Sequence, residues 1–281
     1  MQATIADVIE QMERIAPSRL AEDWDNVGLQ VGRAGWPVKM IWVALDPLPA
    51  VVDAACREKV GLLVTHHPLI FRPLRSIDMD TPTGKIIARA VSSRLGIYAA
   101  HTNLDSAVGG LNDLLAEKFG VKNPRVLKPS SSGSASPGAS APGQTAATGG
   151  LGRVGDLEHP TTLFQLARQV KEKLGLGNVR VAGDPELRVT RVALCTGSGS
   201  SLMADFLASG AQVYLSGDLH YHDARSAEEQ GRGLIDVGHF ASESLMVVDL
   251  ARRLSDGLGR DGFDVAVTPC GIEEDPFSSL S

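Results

Sequence analysis

Two short apolar runs, Met40 to Leu45 and Gly61 to Val64, flank a stretch whose inward positions (Val51, Val52, Ala55, Cys56) recur at helical spacing. A strand, a helix and a strand in that order require a parallel crossover, which is right-handed in nearly all folds. This part of the chain is therefore committed to an α/β sheet covered by helices. The second run stops at Thr65-His66-His67-Pro68, where the proline ends the strand. Open α/β sheets bind ligands just beyond the carboxyl ends of their strands. A histidine pair there suits either metal binding or hydrogen bonding to loop backbone, and the pair alone leaves both open.

The same rhythm extends along the chain. Ile5, Val8, Ile9, Met12 and Ile15 predict a helix over Ile5 to Ile15, capped by Thr4 and ended by Pro17. The polar stretch Glu22 to Gly32 reads as a loop entering a short strand, with Trp24 packing over the core edge. A helix from Thr83 to Arg94 precedes a strand from Gly96 to Ala100, which ends at His101-Thr102-Asn103-Leu104-Asp105, and Gly110 to Phe119 is again helical.

After a Ser/Ala/Gly-rich run come a strand from Arg188 to Cys195, a Gly197-Ser198-Gly199 turn, a helix from Ser201 to Ser209 and a strand from Ala211 to Leu215. A polar helix from Asp223 to Gln230 leads to a strand from Leu234 to Val237, then a helix from Ser244 to Leu254 and a last strand from Phe263 to Thr268. Val43-Ala44-Leu45-Asp46 and Val192-Ala193-Leu194-Cys195 occupy matching places, which suggests an internal duplication. The expected fold is two similar α/β lobes, each with a mostly parallel sheet. The first lobe comprises residues 1–127 and 232–281 and the second residues 151–231, joined by a flexible linker over 128–150.

Composition narrows the function. A net charge of −6 and an aromatic content of 5% argue against a general nucleic-acid binder with a base-stacking platform. The three cysteines Cys56, Cys195 and Cys270 lack CxxC spacing, so they form neither a disulfide framework nor a thiolate zinc site; Cys56, in a helical pattern, and Cys195, ending a strand, read as buried thiols, and a reducing compartment fits. Asp7, Glu10 and Glu13 interrupt the N-terminal stretch, so it does not read as a signal peptide. No uncharged apolar run is long enough to span a bilayer. The expected place is the cytoplasm.

Three strand ends carry possible metal donors: His66 and His67, His101 to Asp105, and His239 to Glu243. His239 and Glu243 are four apart, so a helix beginning there turns both to one side. Imidazole and carboxylate together suit zinc, manganese, iron or nickel. The donors exceed the need of one tetrahedral ion and suit two divalent ions bridged by a carboxylate and a water. Glu243 is the natural bridge, His66 and His67 could each serve one ion, and His101 is left either to support a ligand from behind or for proton transfer. Such a centre makes a nucleophile from water and points to hydrolysis. Gly197-Ser198-Gly199 could cradle a phosphate on its N–H groups or be a plain strand-to-helix turn.

The ordered segments Trp24–Gly32, Thr65-His66-His67-Pro68-Leu69-Ile70-Phe71, His101–Asp105, Thr196–Gly199, Gly217-Asp218 with His222-Asp223-Ala224, and Gly238-His239-Phe240 with Ser242-Glu243 resemble the GTP cyclohydrolase 1 type 2 homologues, also called Nif-three-like proteins. The resemblance covers most of the chain outside the linker and tail. It implies two α/β lobes, each a three-layer sandwich, with a dinuclear metal centre between them that has His66, His67, Asp105, His239 and Glu243 as ligands, and a toroidal homohexamer. Longer members carry an extra domain where this chain has its Ser/Ala/Gly run, so the chain looks like the short form with a disordered insertion. The family name implies hydrolysis of GTP; the acidic chain has no obvious Lys/Arg cluster for a triphosphate, so Arg72 and Arg75 after the histidine pair, with the Gly197-Ser198-Gly199 turn and His222, are the candidate substrate contacts, and ordinary surface arginines are the alternative. The alternative is a non-enzymatic ring that binds or delivers metal, or regulates other proteins.

Overall fold

A computed structural model describes residues 1–130 and 149–278. The expected linker falls largely on residues 131–148, outside the described residues. The chain forms two compact units, one of Met1–Leu104 with Met246–Glu274, the other of Asp105–Leu245 with the stretch from Asp275.

The first unit is built on a five-stranded sheet, in spatial order Ala266–Pro269, Met40–Ala44, Leu62–Thr65, Gly96–Ala99 and Gly28–Val31. The first four strands are parallel and Gly28–Val31 closes the edge antiparallel. Strand side chains alternate between faces. Trp42, Ala44, Leu63 and Ile97 face the helices Pro49–Arg57 and Pro82–Ser93 and pack with Val51, Val52, Ala55, Ile86, Ile87 and Ala90. On the other face the helix Ile5–Ile15 approaches so closely that a Cβ at Gly96 would come within 2.6 Å of Ile5 Cδ1. Gln11 of that helix donates to the Gly257 carbonyl of the helix Leu245–Arg260 at 3.4 Å. Helices thus cover both faces, and the three-layer expectation holds in this unit.

The second unit has a six-stranded sheet, in order Val121–Pro129, Gly150–Thr162, Arg188–Ser198, Val213–Gly217, Gly233–Asp236 and Arg180–Ala182. It is parallel only at its centre, where Arg188–Ser198, Val213–Gly217 and Gly233–Asp236 adjoin. The outer pairings are antiparallel. Val192, Leu194, Val213, Leu215 and Ile235 pack on one face against the helices Leu111–Lys118 and Leu163–Leu174. Ala193, Cys195, Tyr214 and Leu234 pack on the other against Met203, Phe206 and Ala227 of Met203–Ala208 and Tyr221–Glu229. Phe206 and Tyr214 stack at 5.1 Å with an interplanar angle of 18°.

The observed unit boundaries differ from those expected at 127 and 232. Val121–Pro129 and Gly233–Asp236 are hydrogen-bonded into the six-stranded sheet, so both belong to the second unit. The strands also run into the expected linker, to Pro129 on one side and from Gly150 on the other.

Candidate metal centre

The Leu62–Thr65 strand turns sharply at its end. Both His66 and His67 donate their backbone N–H to Leu45 O, at 3.1 and 2.9 Å, and Thr65 Oγ1 donates to His67 O at 2.8 Å. This tight turn sends two adjacent imidazoles into one region. His66 is fully buried, and its Nδ1 lies 2.8 Å from the carbonyl of Ala100. A carbonyl can only accept, so Nδ1 carries the proton and Nε2 keeps its lone pair. His67 Nδ1 lies 2.8 Å from Asp46 Oδ1, and His101 Nδ1 lies 2.9 Å from Asp25 Oδ1. The ring centroids of the three histidines are 5.1 to 5.6 Å apart. One ring nitrogen from each lies within 4.8 Å of the others, a grouping that could hold a metal ion.

Asp25 anchors His101. Burial opposes its ionisation, but hydrogen bonds from His101 and from the Thr102 hydroxyl and N–H outweigh that and hold the carboxyl at about 2. Its neighbour Trp24 does not pack over the core edge as expected. It is 58% exposed and meets Phe71 and His101 edge-on.

In the second unit, His239 and Glu243 sit on the short helix His239–Glu243, as their spacing predicts. His239 Nδ1 lies 2.8 Å from Asp218 Oδ2, and Nε2 lies 3.0 Å from Glu243 Oε2. Glu243 is buried, and the backbone of Gly197 lies directly against it. Ser242 Oγ accepts from Gly197 N at 2.9 Å and donates to His239 O at 2.8 Å, fixing that contact. Asp105 is buried, with Oδ1 accepting from Thr196 Oγ1 at 3.1 Å and its carbonyl accepting from Asn112 Nδ2 at 3.1 Å. Cys195, expected as a buried thiol, is one: burial pushes its pKa up, and Asp105 and Glu243 add to the effect.

His66, His67 and His101 are thus brought together, as are His239 and Glu243. The Gly197-Ser198-Gly199 turn makes internal hydrogen bonds. Gly197 N donates to Ser242 Oγ and Gly199 N to Gly217 O, so two of its three N–H groups are already engaged. Arg72 and His222 both lie exposed, the latter with its ring edge-on to Tyr221 at 5.4 Å.

The acids that orient the imidazoles, Asp46, Asp25 and Asp218, carry no role in the sequence reading. Strand register gives the missing signal for two of them. Asp46 and His67 both lie two residues beyond the paired positions Ala44 and Thr65. Asp218 lies two, and His239 three, beyond the paired Ser216 and Asp236. One device therefore recurs in both units: an aspartate ending one parallel strand holds the histidine ending the next.

The family model described as Duf34/NIF3 (NGG1p interacting factor 3) matches residues 3–276. The chain is 31% identical over 277 residues to a GTP cyclohydrolase 1 type 2 homolog of Clostridium acetobutylicum, covering 99% of each. A protein of that name from Bacillus subtilis is 30% identical over 365 aligned positions, covering 97% of this chain and 98% of its own. That span exceeds the 281 residues here, so the Bacillus subtilis relative carries sequence that this chain lacks. The crystal structure of a Bacillus cereus protein related to NIF3 superposes with a TM-score of 0.89 at 27% identity, covering 99% of both chains. Among the described residues no helix is long and apolar enough to cross a membrane.

Proposed function

From the premise that the chain belongs to the Duf34/NIF3 family, we propose that it is a metal-dependent hydrolase using two divalent cations, nominally of the GTP cyclohydrolase type. His66, His67, Asp105, His239 and Glu243 are the proposed ligands. The observation that carries this reading is the fixing of the histidines. Each of His66, His67 and His239 has Nδ1 at 2.8 Å from a carbonyl or carboxylate oxygen. That outer contact is what metal-ligating imidazoles almost always make, because it sets the tautomer and leaves Nε2 as the donor.

The donor set, imidazole nitrogen with carboxylate oxygen, fits zinc, manganese, iron or nickel. When bound, two such cations supply an activated water and stabilise the charge that develops on the substrate. Glu243, buried and lying against Gly197, would be the carboxylate shared by the two cations. His101 is the proposed proton carrier. With its Nδ1 held 2.9 Å from Asp25 Oδ1, its Nε2 is the ring nitrogen left to exchange a proton with a leaving group.

A second reading is a non-enzymatic metal-binding or metal-delivery protein. The engagement of Gly197 N and Gly199 N favours it, since a triphosphate loses the expected cradle. Turnover separates the two. Metal-loaded protein incubated with GTP and a nucleotide panel gives metal-dependent product that Glu243→Gln abolishes if the first reading is right. Two ions bound per chain with no product from any nucleotide rejects it in favour of the second. A homohexameric ring belongs to the same proposal and is tested by light scattering, which should give six times the 29.7 kDa chain mass.

A further inference from the structure

Three rings meet in a corner beside the imidazole group of the first unit. Trp24 and Phe71 have centroids 5.8 Å apart at an interplanar angle of 61°. His101 lies 6.1 Å from Trp24 and 6.4 Å from Phe71, at 76° to each. In each edge-to-face contact the edge of one ring meets one face of its neighbour, so such a cluster does not cover every ring face. The exposure agrees: Trp24 is 58% and Phe71 46% accessible. Leaving two large aromatic side chains so open forgoes hydrophobic stabilisation, so their position asks for another reason.

The backbone on which both rings stand is held by its neighbours. Trp24 precedes Asp25, which is fixed by His101 and Thr102. Phe71 follows Ile70, whose N–H donates to Gln30 Oε1 at 2.8 Å and whose carbonyl accepts from Asn26 Nδ2. Gln30 Nε2 in turn donates to Asn26 O at 2.6 Å. The polar residues of Trp24-Asp25-Asn26-Val27-Gly28-Leu29-Gln30 thus divide the work. Asp25 orients the imidazole, while Asn26 and Gln30 clamp the segment that carries Phe71. A pre-set aromatic corner loses little entropy on receiving a flat partner.

We propose that Trp24 and Phe71 are the receiving walls for a planar heteroaromatic ring, and that the molecule acted on beside His66, His67 and His101 carries such a ring. This rests on the hydrolase reading and deepens it by assigning the ring-binding residues. Trp24 and Phe71 are positioning residues: they stack on the ring and hold it next to His101, which also borders His66 and His67. Stacking on an aromatic side chain tolerates different bases, so the corner selects for a flat ring more than for one base.

The test uses the full-length protein, with guanosine as the ring-bearing probe and ribose 5-phosphate as the ringless control, both measured by equilibrium dialysis. Guanosine should bind, and Trp24→Ala and Phe71→Ala should each weaken it roughly tenfold or more, the effect of losing one stacking partner. Phe71→Tyr should restore wild-type binding, a rescue that general disruption of the loop would not allow. Circular dichroism of each variant should match the wild type, because both side chains are exposed. Unchanged guanosine affinity in both alanine variants, no guanosine binding at all, or ribose 5-phosphate competing equally well would each overturn the proposal. Failure of the hydrolase reading looks different: no turnover from metal-loaded protein while guanosine binding and its loss in the variants persist.

Discussion

Gly197 has no room for a side chain. It adopts φ +63°, and a Cβ there would lie 2.1 Å from Glu243 Oε1 and 3.3 Å from His239 Nε2. Two separate costs follow for Gly197→Ala: left-handed backbone strain of about 1–2 kcal/mol, and displacement of a buried carboxylate, comparable to core overpacking at about 1–3 kcal/mol. Gly175 provides the control, because it adopts φ +67° with nothing within 4 Å of an added Cβ. Urea denaturation should show Gly197→Ala losing about 2–5 kcal/mol and Gly175→Ala only the strain. Equal losses would mean that Glu243 moves aside freely. At the neighbouring imidazoles, Asp46→Asn and Asp218→Asn keep the shape but remove the charge that holds the Nδ1 proton. Each should weaken metal binding about 10- to 100-fold, measured by competition with a chromophoric chelator. Wild-type affinity in both variants would remove the argument from imidazole orientation.

At the scale of elements, the helix Ile5–Ile15 shows how local chemistry sets a boundary. The Asp7 carboxylate accepts from Thr4 N at 2.7 Å and from Thr4 Oγ1 at 2.6 Å. The Thr4 hydroxyl and N–H hold the Asp7 carboxyl below its ordinary value of 3.8. A group depressed on folding stabilises fully above its unfolded pKa and loses that contribution as the pH falls through the folded one. Asp7→Asn should therefore cost about 1 kcal/mol at pH 7. The gap to wild type should stay constant down to about pH 5 and close below about pH 3.8, in denaturation curves collected across that range. This helix was fully legible because stripe, cap and terminating proline agree, and so was the crossover ending at the histidine pair. The strands Val121–Pro129 and Gly150–Thr162 were not. Pro124, Pro129, Gly152, Gly155 and Pro160 break their alternation. A register shift between Lys122 and Arg125 takes up Asn123, at φ 48°, and Pro124. Of the site, His239 and Glu243 could be read from helical spacing. Asp46 and Asp218 could not, because their partners become neighbours only once strands are in register.

Over the whole molecule, composition misled where hydrogen bonding decides. The Ser/Ala/Gly-rich run looks like a divider between two halves, yet the strands on either side of it are paired with each other. Val121–Pro129 and Gly150–Thr162 run antiparallel, with Pro129 opposite Gly150 and Ser130 N donating to Gly149 O at 3.1 Å. The run therefore interrupts a hairpin inside one sheet. Arg153 ties that hairpin to the rest of its unit. Its guanidinium is buried and donates to the carbonyls of Gly150, Gly152 and Ala107 at 2.7 to 3.0 Å, and it pairs with Asp113. Register here is fixed by the strands and by Arg153, so residues 131–148 should be replaceable by a two-residue Asn-Gly turn. Shortening the loop by about three doublings reduces its closure entropy by about 2 kcal/mol at most, so the variant should match the wild type or exceed it by up to that amount. Arg153→Met, which leaves Asp113 without its buried partner, should instead cost about 3–5 kcal/mol. Urea unfolding of both variants is the measurement. A shortened protein that fails to fold while Arg153→Met remains stable would show that the hairpin is held by the replaced residues rather than by the guanidinium beneath it.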